Sequence, residues 1–463
     1  MSEKISTELD YAPVVSNHST VLYRTVAPQG ANSVTSSITS SVGPTEFIIP
    51  PSCFNFAKSR LNFTLGLAAA GGTLSNVINA NTLTVISRIT LYDSATNALW
   101  CDISNVNQYS SLLVPACTDF QEYSTKAFRS TTPVTAADVA AAVTAARLVT
   151  VEDISKSNLA GGSAANLAGD GSVISTQNPF FSRRQFYFGG SDVANALDVS
   201  IPLSAFKMSV LSSDKVLYSP SNLVLQVYWA PNNNYAFKAT TANTNPSEND
   251  VSLTTAIVIS NISLTLANEG NLAIVSQIIN KVMSSGISMP IAYPTSTVYS
   301  SADNATAHSY QLSLTRGYGN RILAIVTAPF TRSTVSENNV HKRLAGNTSQ
   351  YNTFLNNVAI KSQAGFSIAS SQDYIMANRE YLEGSVIQTL GEYVLGEWVH
   401  IDGFFGEKPI KDVNQHEIDG LDVGAQSSTW QIQATTDAAS YNWASIIIGQ
   451  KQLSISNQGS MVQ

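Results

Sequence analysis

Charge is what this sequence has least of. Asp, Glu, Lys and Arg make up 12% of its 463 residues, against about 25% in ordinary soluble proteins. Ser, Thr, Asn and Ala fill the gap. A disordered chain pairs few aromatics with a high net charge, whereas here Phe, Tyr and Trp reach 9% and the net charge is −7, so the chain is expected to fold. A poorly charged surface does little to keep copies apart, which points to self-association. The mild acidity excludes a nucleic-acid coat, which needs clustered Lys and Arg. His341-Lys342-Arg343 and Arg183-Arg184 are the densest basic groups, and both are read as solvated loop or strand-end charges.

Cysteine is scarce too. Cys53, Cys101 and Cys117 are odd in number and lack CxxC spacing, so neither a zinc site nor a disulfide framework is expected. Reduced, buried thiols are. No run of 18 apolar residues exists, so no transmembrane helix is expected. "MSEKISTELDYAPVVSNHST" (1–20) has no apolar signal-peptide region. The sequons at Asn17, Asn62, Asn261, Asn304 and Asn347 carry no weight in so Asn/Ser/Thr-rich a chain.

Catalytic constellations are missing as well. There is no GxSxG elbow. "GFFGEK" (403–408) has the wrong spacing for a phosphate loop, and "RGYGNR" (316–321) lacks its third glycine and reads as a hairpin turn. His18, His308, His341, His400 and His416 show no HxH or HxxxH pairing. His400-Ile-Asp402 places two polar groups on one strand face, read as a surface pair rather than metal ligands. Glu392, Glu397 and Asp402 are carboxylates that nothing in the sequence brings together. Phe180, Phe181, Phe186, Tyr187 and Phe188 are assigned to core or interface packing rather than to a sugar platform. No catalytic, cofactor-binding or metal-ligating residue is assigned, no cofactor is expected, and the protein is not expected to be an enzyme.

What the sequence does hold is alternation. Leu61, Phe63, Leu65 and Leu67 in "SRLNFTLGLA" (59–68) share one face of a strand, as do Leu223, Leu225, Val227 and Trp229 in "SNLVLQVYWA" (221–230). "VISRITLYDSATNALWCDISNVNQYSSLLV" (85–114) gives a strand, a turn at Asp93–Asn97, a return strand and a short helix stopped by Pro115. "NLAIVSQIINKVMSSG" (271–286) reads as a helix, with Ile274, Ile278 and Val282 four apart and Gly286 as its stop. A second helix is expected over 373–391. Further strands are expected at 45–51, 183–190, 196–206, 255–270, 308–315, 320–329, 365–370, 397–405, 428–436 and 445–456, with 350–359 a strand or a helical turn. Strands do not alternate with helices, so a parallel α/β sheet is disfavoured and two antiparallel sandwiches fit the length. Residues 1–44 read as an extended arm, ordered only where something holds it. The first sandwich is expected over 45–240 and the second over 241–463, with the junction in the loop-like stretch from 231 to 255. The Ala-rich insertion 131–173 is expected at the surface.

Several of these stretches resemble a known family. "FIIPPSCFNFAKSRLNFTLGL" (47–67), "VISRITLYDSATNALWCDISNVNQYSSLL" (85–113) and "VSIPLSAFKMSVLSSDKVLYSPSNLVLQVYWAPNNNYAF" (199–237) are similar to the first half of the double jelly-roll major capsid proteins of tailless double-stranded DNA viruses. The nearest group is that of polinton-like viruses and virophages, with adenovirus hexon more distant. The resemblance implies an all-β chain of two tandem eight-stranded antiparallel jelly-roll sandwiches with short helices and long loops. It implies a homotrimer forming pseudo-hexagonal, hexon-like capsomers that build an icosahedral shell inside the host cell, with a virion localisation. The partners implied are further copies of the chain, penton and minor capsid proteins; specific nucleic-acid binding is not implied, and contact with an internal membrane stays open. Asp93-Ser94-Ala95 stands where many relatives have Asn-Gly, and the Ala-rich insertion is unlike theirs. The alternative is a self-associating cell-surface β-sandwich protein of adhesin or surface-layer type.

Overall fold

The computed structural model describes residues 19–67, 76–79, 82–119, 185–187, 197–238, 251–252, 256–301, 305–331, 350–360, 365, 380–385, 399–406, 408–413, 420–435 and 441–463. The Ala-rich insertion 131–173, the first 18 residues of the expected arm, and most of the helix expected over 373–391 lie outside them.

Eight strands form the first sandwich. They are β1 (Val21–Val26), β2 (Val42–Ile49), β3 (Cys53–Leu67), β4 (Ile86–Asp93), β5 (Leu99–Ser104), β6 (Leu197–Pro202), β7 (Leu223–Trp229) and β8 (Ile257–Glu269). One sheet runs β1-β8-β3-β6 and the other β2-β7-β4-β5, all antiparallel. In chain order these are strands 1-8-3-6 and 2-7-4-5, the double Greek key of a jelly roll. The second sandwich repeats it with β9 (Ile287–Ser300), β10 (Ala307–Leu314), β11 (Arg321–Thr331), β12 (Gln350–Leu355), β13 (Val358–Ala359), β14 (His400–Gly403), β15 (Ser428–Thr435) and β16 (Tyr441–Ser456). Its sheets are β9-β16-β11-β14 and β10-β15-β12-β13, again 1-8-3-6 and 2-7-4-5. The repeat extends to a detail. In both rolls strand six is broken, and its second piece (Leu217–Tyr218, Leu421–Asp422) rejoins strand three further along.

Two corrections follow from this order. The stretch expected to be an arm contains strand one, because Val21–Val26 pairs residue for residue with Leu264–Glu269 of β8. Ile257–Glu269, beyond the expected junction at 240, is strand eight of the first roll and pairs along β3. The loop-like stretch around 231–250 is thus the connection between strands seven and eight of one roll.

Local chemistry explains most elements. Leu61, Phe63 and Leu65 point inward from β3, and Leu223, Leu225, Val227 and Trp229 are fully buried on β7. Phe63 meets the Trp229 ring edge-on at 5.1 Å, joining the two sheets. β10 alternates exposed and buried without a fault. Residues 350–359 resolve as the hairpin β12–β13, turned by Asn356 and Asn357 at φ 50° and 66°, the left-handed pair that Asn tolerates in a two-residue turn. Helix α1 (Val106–Ala116) carries Pro115 inside its last turn. Helix α2 (Leu272–Ser285) joins the rolls. The Asn271 side chain caps it by accepting from the Ala273 N–H at 3.0 Å, and Gly286 ends it at φ 73°. "RGYGNR" connects β10 and β11, which belong to different sheets, so it is a crossover between sheets rather than a hairpin turn.

Four short strands form a separate sheet: Asn76–Asn79, Gln185–Tyr187, Ala236–Lys238 and Val251–Ser252. They come from the connections between strands three and four, five and six, and seven and eight, which leave a jelly roll at one end. Phe186 and Tyr187 lie in this sheet.

Candidate functional site

Hydrophobic burial does not stop at the roll boundary. One continuous apolar cluster runs through both sandwiches, and the stretch 85–116 is where they meet. α1 lies against β11 and β16, and β5 lies against β9. Tyr109, Leu112, Leu113, Val114 and Ala116 are all fully buried, and Tyr109 Oη donates to the Lys207 carbonyl. On the other side of the seam, β11 is buried from Ile322 to Ala328 and β16 from Trp443 to Gln450. In β16 the Trp443 ring sits 5.9 Å from His308 of β10, so Trp443, Ser445 and Ile447 face the sandwich interior. By alternation Ile446 and Ile448 face the first roll.

Polar groups frame the seam. Arg88 and Asp102 form a two-pronged ion pair, at 2.8 and 2.7 Å, which raises the Arg88 pKa through that hydrogen bond. Across from them Lys451 stands 3.7 Å over the Tyr293 ring. Burial lowers the Lys451 pKa and Asp102 works against that.

A denser network lies where a further strand, β17 (Gly459–Val462), pairs with the end of β16. Asp93, fully buried, accepts from the Ala95 N–H at 2.9 Å and from Ser221 Oγ at 2.6 Å through Oδ1. Its Oδ2 accepts from the N–H and the Oγ of Ser460, at 2.9 and 2.6 Å. Trp100 Nε1 donates to Ser460 Oγ at 2.7 Å, and Thr96 Oγ1 to the Ser460 carbonyl at 2.7 Å. Burial alone would raise the Asp93 pKa, but the bonds from Ser221, Ser460 and Ala95 outweigh it and hold the carboxyl below its usual range. Beside this network a groove of about 760 Å³ is lined by Thr96, Ala98, Ser285, Gly286, Ser454 and Met461, among others.

The polar candidates raised by the sequence are dispersed. His400 and Asp402 do share a strand face, but the expected surface pair is wholly buried inside the second roll. His400 Nε2 lies 3.0 Å from Asp402 Oδ1. Trp430 Nε1 donates to Asp402 Oδ2 at 2.7 Å, Thr353 Oγ1 to Oδ1 at 3.3 Å, and the Tyr351 ring stands edge-on to His400 at 5.0 Å. Trp430, Thr353 and Tyr351 come from the opposing sheet, so the pair ties the two sheets together. Alternation could show that His400 and Asp402 share a face, but not that the face is the inner one. Among the described residues no three His, Cys, Asp or Glu side chains group to hold a metal, and no helix is long and apolar enough to cross a membrane. All three cysteines are buried and none is in a disulfide; burial, then Glu269, pushes the Cys53 thiol up to about 11. Glu392, Glu397, Phe180, Phe181, Phe188, Arg183-Arg184 and His341–Arg343 lie outside the described residues.

The residues that sequence reading missed are Asp93, Trp100 and Ser460. Asp93 was visible only as a turn former. The seam itself had a signal: "RILAIVTA" and "WASIIIG" are continuous apolar runs, the pattern of strands covered on both faces.

Some apolar side chains stay uncovered. Leu22 and Tyr23 on edge strand β1 are 59% and 65% exposed, and Leu272 and Met283 on α2 are 78% and 50% exposed.

Among solved structures, the chain matches one in the cryo-EM structure of the Sputnik virophage with a TM-score of 0.50 and 11% identity, covering 99% of this chain and 92% of that one. It matches a chain of the PBCV-1 virus capsid with a TM-score of 0.51 and 9% identity, covering 98% of each. The likeness is one of fold, the double jelly roll. No family model matches the chain, and no curated protein does.

Proposed function

We propose that this chain is a major capsid protein: a structural building block without enzymatic activity that assembles with copies of itself into the shell of a DNA virus. The observation that carries the reading is the strand order 1-8-3-6 and 2-7-4-5 repeated in two rolls fused across one core. The full-length fold likeness to a virophage chain and a virus capsid chain supports it. Two rolls per chain, joined across one core and taken three times, give six sandwiches in a ring, a pseudo-hexagonal tile. Such a homotrimer would pack into an icosahedral shell within the host cell, with penton and minor capsid proteins closing it. The scarcity of charge and the uncovered apolar side chains of β1 and α2 support self-association.

The units of this reading are Val21–Glu269 and Ile287–Ser456, joined by α2. The connections that form the small four-stranded sheet, together with the insertion 131–173 between α1 and β6, would make an outward tower at one end of the first roll. In the insertion Asp138, Glu152, Asp153 and Asp170 outnumber Arg147 and Lys156, which suits an outer surface better than one facing a genome.

Mass photometry and negative-stain microscopy test the reading. We expect a species of three times the 49.4 kDa of the chain, with a hexagonal outline. A stable monomer at micromolar concentration that forms no shell in any buffer would overturn it. Replacing Leu272 and Met283 together by Glu is expected to weaken self-association while leaving the fold intact.

A further inference from the structure

We propose that β17 is a clip that fixes the angle between the two rolls, with Asp93 and Ser460 as its positioning pair. The apolar seam alone cannot set that angle. Hydrophobic contact is non-directional, so the seam opposes separation of the rolls without carrying a directional bond between them. The covalent connection through α2 enters the second roll at Ile287, opposite Ile455, and a single covalent attachment does not by itself fix rotation. β17 supplies a second attachment across the groove from the end of α2.

The clip is specific to the first roll. The backbone N–H, hydroxyl and carbonyl of Ser460 are all engaged by first-roll residues: Asp93 takes the first two, Trp100 adds a donor to the hydroxyl, and Thr96 donates to the carbonyl. These bonds are directional, and Asp93, Trp100 and Ser460 are all buried. Gly459 makes the approach feasible. Its φ is 116°, and a β-carbon there would stand 2.6 Å from Thr96 Cγ2, so a side chain fails on both conformation and space. By contrast Ser454, which also lines the groove, pairs with Ser288 at 2.9 Å within the second roll.

The test places spin labels on the full-length protein at exposed Tyr23 and Val358, one in each roll, dilutes the labelled chain into excess unlabelled chain so that only the distance within one chain is read, and compares Asp93→Asn, Ser460→Ala and Ser454→Ala. The labelled parent should give one narrow inter-roll distance, which Ser454→Ala leaves unchanged. Asp93→Asn and Ser460→Ala should broaden it and accelerate exchange of the backbone amide at position 460 by roughly 10- to 100-fold, the loss of one or two bonds to a buried charge. Unchanged width and protection in both variants would overturn the proposal. If Asp93→Asn does not fold, Ser460→Ala decides, since it removes only a hydroxyl. Both readouts are made on the chain itself, so shell formation by the parent, scored separately, can fail without deciding the clip.

Discussion

The two rolls share a strand order but treat the same sheet differently. In the first roll the outer face of β1-β8-β3-β6 is a polar ladder: Arg60 donates to Ser200, Asn62 to Thr265, and Thr64 to Asp198. In the second roll the outer face of the central strands β16 and β11 is Ile, Val and Ala, buried under α1 of the first. Topology therefore does not decide which faces of a jelly roll are wet. The neighbour does, and the sequence adapts to it, with hydroxyls where water reaches and a continuous apolar run where a second roll lies.

The sharpest way to break this contrast is to put a carboxylate at matched places in strand eight. Ile446→Asp is expected to cost about 4 kcal/mol or more, as an unpaired buried charge, and to leave little soluble folded protein. Ser263→Glu, on the outer ladder, should stay within about 1 kcal/mol. Thermal unfolding of the two variants side by side reads the difference, and equal destabilisation would dissolve the contrast.

The interiors differ as well, since only the second roll is bridged by a buried histidine–aspartate pair among the described residues. Asp402→Asn should cost about 3–5 kcal/mol, because one of the two acceptor oxygens becomes an NH2 donor and the buried charge is lost, leaving Trp430 or His400 without its partner; urea denaturation measures it.

Acid should act first on hydrogen-bonded carboxylates. Asp93 is held below its usual pKa of about 3.9, so its contribution is fully present above pH ~4 and is lost as pH falls through the lower folded-state value. A steeper loss of stability below pH ~4 in the parent than in Asp93→Asn is the expected outcome. The slope should shrink rather than vanish. Glu269 is also held low: the bonds from Ser19 and from the N–H groups of Asn271, Thr20 and Gly270 outweigh its burial.

The smallest effect concerns the thiols. With Cys53, Cys101 and Cys117 all buried, an aromatic disulfide reagent should titrate none of them in the native protein and all of them in denaturant.

Legibility in the sequence followed exposure. α2 was readable from Ile274, Ile278 and Val282, and β7 from Leu223 to Trp229, because each has one apolar side and one side that carries polar residues. β1 was not, because its central four residues are all exposed and show no alternation. The error at 240 has a different origin. A jelly roll seats strand eight between strands one and three, so its partners are remote in sequence, and a long polar connection inside one roll looks like a linker between two. The roles of Asp93 and Ser460 were unreadable for the same reason.

That remoteness has a price in time. The contact between Asp93 and Ser460 spans 367 residues. At about 5–20 residues per second of synthesis, residue 93 waits on the order of 20 to 70 s for its partner. Throughout that interval the nascent first half presents Trp100 and α1 without the roll that will cover them. A chaperone that engages this chain during translation should therefore be found on the first half, and should leave when the second arrives.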